Sequence, residues 1–194
     1  TRVINVGVPA ERVADALARR EVGLAIGMMD PRQGGVRSTL LFSEHYVVLA
    51  GADAPRAWRT RAGFGDARMV LASPTATYHR GIADALERHG LAERIVVRAR
   101  HYASVPDLVV GSRLAAIVPS MFARIACERS ARLAMWPVPL EMPPYEVGMV
   151  WHAASDADAA QGWLRERVLG LFGRARGRAT GHGRATGRGG VRAR

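Results

Sequence analysis

Residues 38–50 contain Leu40-Leu41-Phe42-Ser43-Glu44-His45-Tyr46-Val47-Val48-Leu49, one long extended stretch with the reach to cross between two lobes. Upstream, Val-Ile-Asn-Val-Gly-Val at 3–8 is a β-branched run closed by Pro9. Residues 10–20 then set Val13, Leu17 and several alanines at helical spacing among charges. Residues 22–28 are short and almost wholly apolar, as a strand covered on both faces is. This order predicts a βαβ unit, with parallel strands and a right-handed crossover. A turn at Asp30-Pro31 and Gly34-Gly35 leads into the crossing segment.

Downstream the same logic repeats. Residues 51–66, rich in Gly, Ala, Arg and Pro, read as loop. Met69 to Ala72 read as strand, Ser73-Pro74-Thr75 as turn, and 78–89 as a helix with Ile82, Ala83 and Leu86 on one face, ended by Gly90. A strand at 94–99, a short helix at 104–111, a strand at 114–118 and a helix at 120–129 follow. Strands at 133–139 and 145–151 come next, the latter returning towards the first unit, and an amphipathic helix at 157–172 closes the chain. Two α/β units joined by extended segments, the chain leaving one and later returning, predict a two-lobed, periplasmic-binding-protein-like fold with ligand held between the lobes.

Composition narrows the function classes. The 194 residues, 48% apolar, suffice for a sizeable core, and no apolar run approaches the roughly 18 residues of a membrane span. One cysteine, Cys127, forms no internal disulfide and has no partner for a thiolate metal site, and a cytoplasmic, unsecreted protein is expected. The net charge of +11 is unevenly placed: 173–194 hold seven arginines and no acid, so the remainder carries only +4. Every basic residue is Arg. No Gly-x-Ser-x-Gly elbow, P-loop or His-x-x-x-His pair occurs, so neither an enzyme nor a metal or cofactor is expected.

Several phrases resemble one family in order and spacing. Arg20-Glu21-Val22-Gly23-Leu24-Ala25-Ile26-Gly27 stands where LysR-type effector domains carry a phrase like Gly-x-x-Asp-Leu-Ala-Ile-Gly, with Gly23 in place of the usual Asp. Leu41-Phe42-Ser43-Glu44-His45-Tyr46-Val47-Val48 is similar to the family's strand entering the second lobe. Val105-Pro106-Asp107-Leu108-Val109-Val110-Gly111 with Ala116-Ile117-Val118-Pro119, and Val150-Trp151-His152 before Trp163-Leu164-Arg165, match its later elements, with Arg113 where a second Gly is common. The wording at Leu24 to Met28 and at Ser73-Pro74-Thr75 resembles the branch that senses aromatic acids and nodulation flavonoids.

The resemblance implies an α/β, type 2 periplasmic-binding-protein-like effector domain, truncated at its N-terminal edge and lacking the helix-turn-helix. Its divisions are partial lobe I at 1–45, lobe II at 46–145, a return to lobe I with the closing helix at 146–172, and a disordered Arg/Gly-rich tail at 173–194. It also implies a small organic acid inducer, a homo-oligomer (dimer or tetramer), and DNA contact only through the missing N-terminal domain. A solute-binding protein of a transporter, or an enzyme on a similar scaffold, is the alternative.

The effector-site candidates are Ser73, Pro74, Thr75, His101, Tyr102, Phe42 and Tyr78. Hydroxyls and free backbone N–H groups at Ser73-Pro74-Thr75 suit a carboxylate, or form an ordinary helix cap. His101 and Tyr102 offer a hydrogen bond and an aromatic wall, or an exposed loop pair. Phe42 lines the crossover or belongs to the core, and Tyr78 begins a helix or lies on the surface. The arginine tail binds nucleic acid non-specifically through phosphates, or is a low-complexity extension without a role.

Overall fold

The computed structural model describes residues 2–28, 35–72 and 80–179. Helix α1 (Val13–Ala18) buries Val13, Ala16 and Leu17, the one-sided spacing the sequence predicts. It ends in a Schellman-like turn in which the Glu21 N–H donates to the Ala16 carbonyl at 2.9 Å. The turn places Arg20 at φ 59°, in the left-handed region. Strands β1 (Ala25–Gly27), β2 (Val36–Glu44) and β8 (Tyr145–His152) form a three-stranded sheet in the order β1-β8-β2, antiparallel throughout. The register of β2 on β8 shifts between Leu40 and Phe42, so Leu41 is an extra, buried residue.

Two expectations for the first unit fail. Residues 3–8 are not a strand: Val3, Ile4 and Val6 are 63%, 66% and 54% exposed. A β-branched run forms a strand only where a neighbour takes up its backbone donors and acceptors, and among the described residues no strand pairs with it. Without that strand the unit is not βαβ. Strand β1 pairs antiparallel with β8, the strand that returns from the other end of the chain.

The second sheet has five strands in the order β5-β4-β6-β3-β7: β3 (Tyr46–Gly51), β4 (Arg68–Ala72), β5 (Ile95–Ala99), β6 (Leu114–Pro119) and β7 (Leu133–Pro137). Strands β5, β4 and β6 run parallel, while β3 is antiparallel to both β6 and β7. Alternation along β3 sends Val48 and Ala50 into one core, with Phe64, Met69, Ile82, Leu86, Ile117 and Trp136. It sends Val47 and Leu49 into another, with Val70, Val105, Val109, Val118 and Ala123. Both faces are therefore covered, by α3 (Arg80–Arg88) on one side and by α4 (Val105–Val109) and α5 (Ser120–Arg129) on the other.

The expected loop at 51–66 contains a 3-10 turn at Arg56–Arg59 and a short helix, α2 (Arg61–Phe64), because Trp58 and Phe64 are buried and pull that segment onto the sheet. A Cβ on Gly63 would lie 2.2 Å from the Ala57 carbonyl oxygen, so only glycine fits. Gly90 ends α3 as expected, at φ +69°. The closing helix α6 runs Ala159–Ala179, past the expected end at 172, and so takes the first seven residues of the expected disordered tail. No helix among the described residues is long and apolar enough to cross a membrane.

Candidate effector site

The extended segment at 38–50 does cross between sheets. Strand β2 ends at Glu44 in the three-stranded sheet, and β3 starts at Tyr46 in the five-stranded one. The return strand β8 runs beside it, with Glu44 opposite Tyr145. Because β4, β5, β6 and β7 all run one way and β3 the other, the carboxyl ends of four strands meet the amino end of β3 along one edge. This edge meets the crossover strands. In open α/β sheets the crevice outside the carboxyl ends is where ligands lie.

Four described segments reach this edge: His101-Tyr102 after β5, Ser120-Met121 after β6, the chain that follows Pro137 of β7, and Glu44-His45-Tyr46 entering β3; β4 ends there at Ala72. Ser73, Pro74, Thr75 and Tyr78, which follow that last strand, lie outside the described residues. His101 is exposed, and its carbonyl accepts from the Ser104 hydroxyl at 2.9 Å. Tyr102 is half-buried, with its ring 5.5 Å from that of Phe122 on α5. Burial first, and Tyr46 second, push the Tyr102 phenol well above its usual range. Phe42 is elsewhere: its ring stacks at 5.1 Å on Phe172 of α6, in a core with Leu41, Met149 and Val168.

Sequence reasoning missed the centre of this edge. Tyr46 and Tyr145 sit with ring centroids 4.8 Å apart, and their hydroxyls are hydrogen-bonded to each other. Burial raises the Tyr46 phenol to about 12, with the hydrogen bond opposing and Glu44 reinforcing the shift. Burial, then the neighbouring Tyr46, Glu44 and Tyr102, raise Tyr145 well above its ordinary value. All three phenols are neutral at physiological pH and bring aromatic rings rather than charge to the edge.

Glu44, 4% exposed, is the buried charged residue among those described. Its carboxylate accepts from the Ser120 hydroxyl at 2.5 Å, the Met121 N–H at 3.1 Å and the His45 N–H at 2.8 Å. The signal in the sequence was one acid inside the otherwise uncharged run 38–44; its partner, 76 positions away, left no local trace.

A hinge of two crossover strands, facing the carboxyl edge of a mixed sheet lined by phenols, defines a two-lobed ligand-binding domain. A model of the LysR substrate binding domain matches residues 4–172, and the chain belongs to that family. It is similar to the HTH-type transcriptional activator NagR of Ralstonia sp, 29% identical over 79% of this chain and 52% of the relative. It is also similar to NahR of Pseudomonas putida, 29% identical over 81% and 53%. The chain thus spans about half the length of these curated relatives. Among solved structures, the regulatory domain of MexT from Pseudomonas aeruginosa superposes with a TM-score of 0.70 at 22% identity, covering 85% of this chain and 81% of that one.

Proposed function

We propose that this chain is the effector-sensing part of a transcription regulator, binding a small aromatic or other organic acid at the carboxyl edge of the five-stranded sheet, between the lobes. The observation that carries the reading is the pairing of Tyr102 with Phe122, rings 5.5 Å apart, at the sheet edge where the crossover strand enters. Ring faces there suit an aromatic ring, and phenols neutral at physiological pH do not repel an anion. The hydroxyls of Ser73 and Thr75, next along the chain from β4, are the donors proposed for the carboxylate. Similarity to the transcriptional activators NagR and NahR supports the regulatory role. Pairing of such domains in a homo-oligomer, and DNA contact through a separate domain, belong to the same proposal.

The test is thermal denaturation of the chain with benzoate-like acids, benzamide, neutral sugars and amino acids. Stabilisation by the acids, rising with concentration, is the expected result. Stabilisation only by sugars or amino acids would overturn the assignment.

A further inference from the structure

We propose that Glu44 is a positioning residue that clamps one lobe to the other and thereby couples effector binding to the angle between them. Its function rests on the effector reading above; the clamp itself rests on geometry alone. Glu44 ends β2 and pairs with Tyr145, so its backbone belongs to the three-stranded lobe. Its carboxylate is held by the first turn of α5, in the five-stranded lobe, through Ser120 Oγ at 2.5 Å and Met121 N–H at 3.1 Å.

A buried carboxylate is stable only while its hydrogen bonds are made, and the start of a helix is a favourable place for it. Three donors hold this one, two of them from α5. The bonds tolerate little movement. Opening the hinge by an ångström would carry the Met121 contact beyond hydrogen-bonding range, leaving a desolvated charge short of partners. The lobe angle then has two preferred settings, clamp made and clamp open with its carboxylate hydrated. Tyr102 packs on Phe122, one residue beyond Met121 on the same turn of α5. An effector resting on Tyr102 shifts that turn and with it the clamp, so ligand and lobe angle are linked.

The experiment attaches spin labels at Glu11→Cys and Glu93→Cys, exposed positions on the two lobes, in a Cys127→Ser background, and measures their distance distribution. A narrow distribution is expected for Glu44 and a broad one for Glu44→Ala, with benzoate affinity falling by about tenfold or more. Formate, a free carboxylate that fits the vacated slot, should narrow the distribution again and recover affinity, whereas formamide should not. A folded Glu44→Ala protein with an unchanged distribution would overturn the clamp, as would broadening that formate leaves uncorrected. Should that variant fail to fold, Glu44→Gln decides: it keeps the shape but not the charge, and an unchanged distribution again sinks the proposal. If benzoate does not bind the chain bearing Glu44, the ligand assignment fails, while the distances still judge the clamp.

Discussion

The hydroxyls of Tyr46 and Tyr145 are hydrogen-bonded to each other across the junction of the two lobes, with ring centroids 4.8 Å apart. One residue opens the strand that enters the second lobe, and the other opens the strand that leaves it. Both phenols are held neutral by burial, which gives the pair a definite pH signature.

The Tyr46 phenol is raised from 10.0 to about 12 in the folded state. An acid whose folded value lies above its unfolded value keeps its proton longer when folded, so the folded form binds more protons between the two. Stability is then fully present below pH 10 and falls as pH rises through 12. Urea denaturation followed from pH 8 to 12 should show a loss on the order of 1–2 kcal/mol above pH 10. Tyr102 and Tyr145, whose phenols burial also raises, add losses of the same sign, so Tyr46→Phe should lessen the fall without abolishing it; an equally steep fall would show that Tyr46 does not contribute.

Phe42 and Tyr102 should separate stability from binding. Phe42→Ala removes a ring stacked on Phe172 in the core of the first lobe and is expected to cost about 2–4 kcal/mol in chemical denaturation, with effector affinity nearly unchanged. Tyr102→Ala removes a wall of the proposed site. It should weaken benzoate binding by about tenfold in calorimetric titration, beyond any loss of stability. The reverse pattern would move the site towards Phe42.

Backbone geometry predicts two opposite effects at positions 20 and 63. Arg20 holds φ 59° without the freedom of glycine, and Arg20→Gly should stabilise the chain by up to about 1 kcal/mol. Gly63→Ala drives a methyl group to 2.2 Å from the Ala57 oxygen and should destabilise by about 1–3 kcal/mol. Thermal melting of both variants tests the pair; a neutral Gly63→Ala would show that the 3-10 turn yields freely.

The arginine-rich end should account for any nucleic-acid affinity. Residues 180–194 carry four of the seven terminal arginines, and deleting them should leave melting temperature and effector binding unchanged. Binding of duplex DNA by the intact chain should fall steeply with salt, ignore base sequence and weaken strongly on the deletion. A salt-resistant preference for one duplex that survives the deletion would reveal a base-reading surface.

Much of the site's frame was legible in the order of elements. The crossing at 38–50, the return at 145–151 and the strand-to-helix turns at 99–105 and 118–120 follow from apolar runs broken by Pro, Gly and Ser, which are local properties. His101 and Tyr102 were reachable in this way. Phe42 was not, because register decides which face a strand residue takes, and a one-residue shift at Leu41 changes it.

By itself the sequence determined the α/β class, the two units and the crossings between them, since periodicity and turn residues act within a few positions of one another. Only the tertiary structure decided that residues 3–8 form no strand, that β1 takes partners 121 to 125 positions away, and that Glu44 meets Ser120. Strand pairing and the burial of a charge depend on which distant donors and acceptors arrive in the same place. No local pattern encodes that.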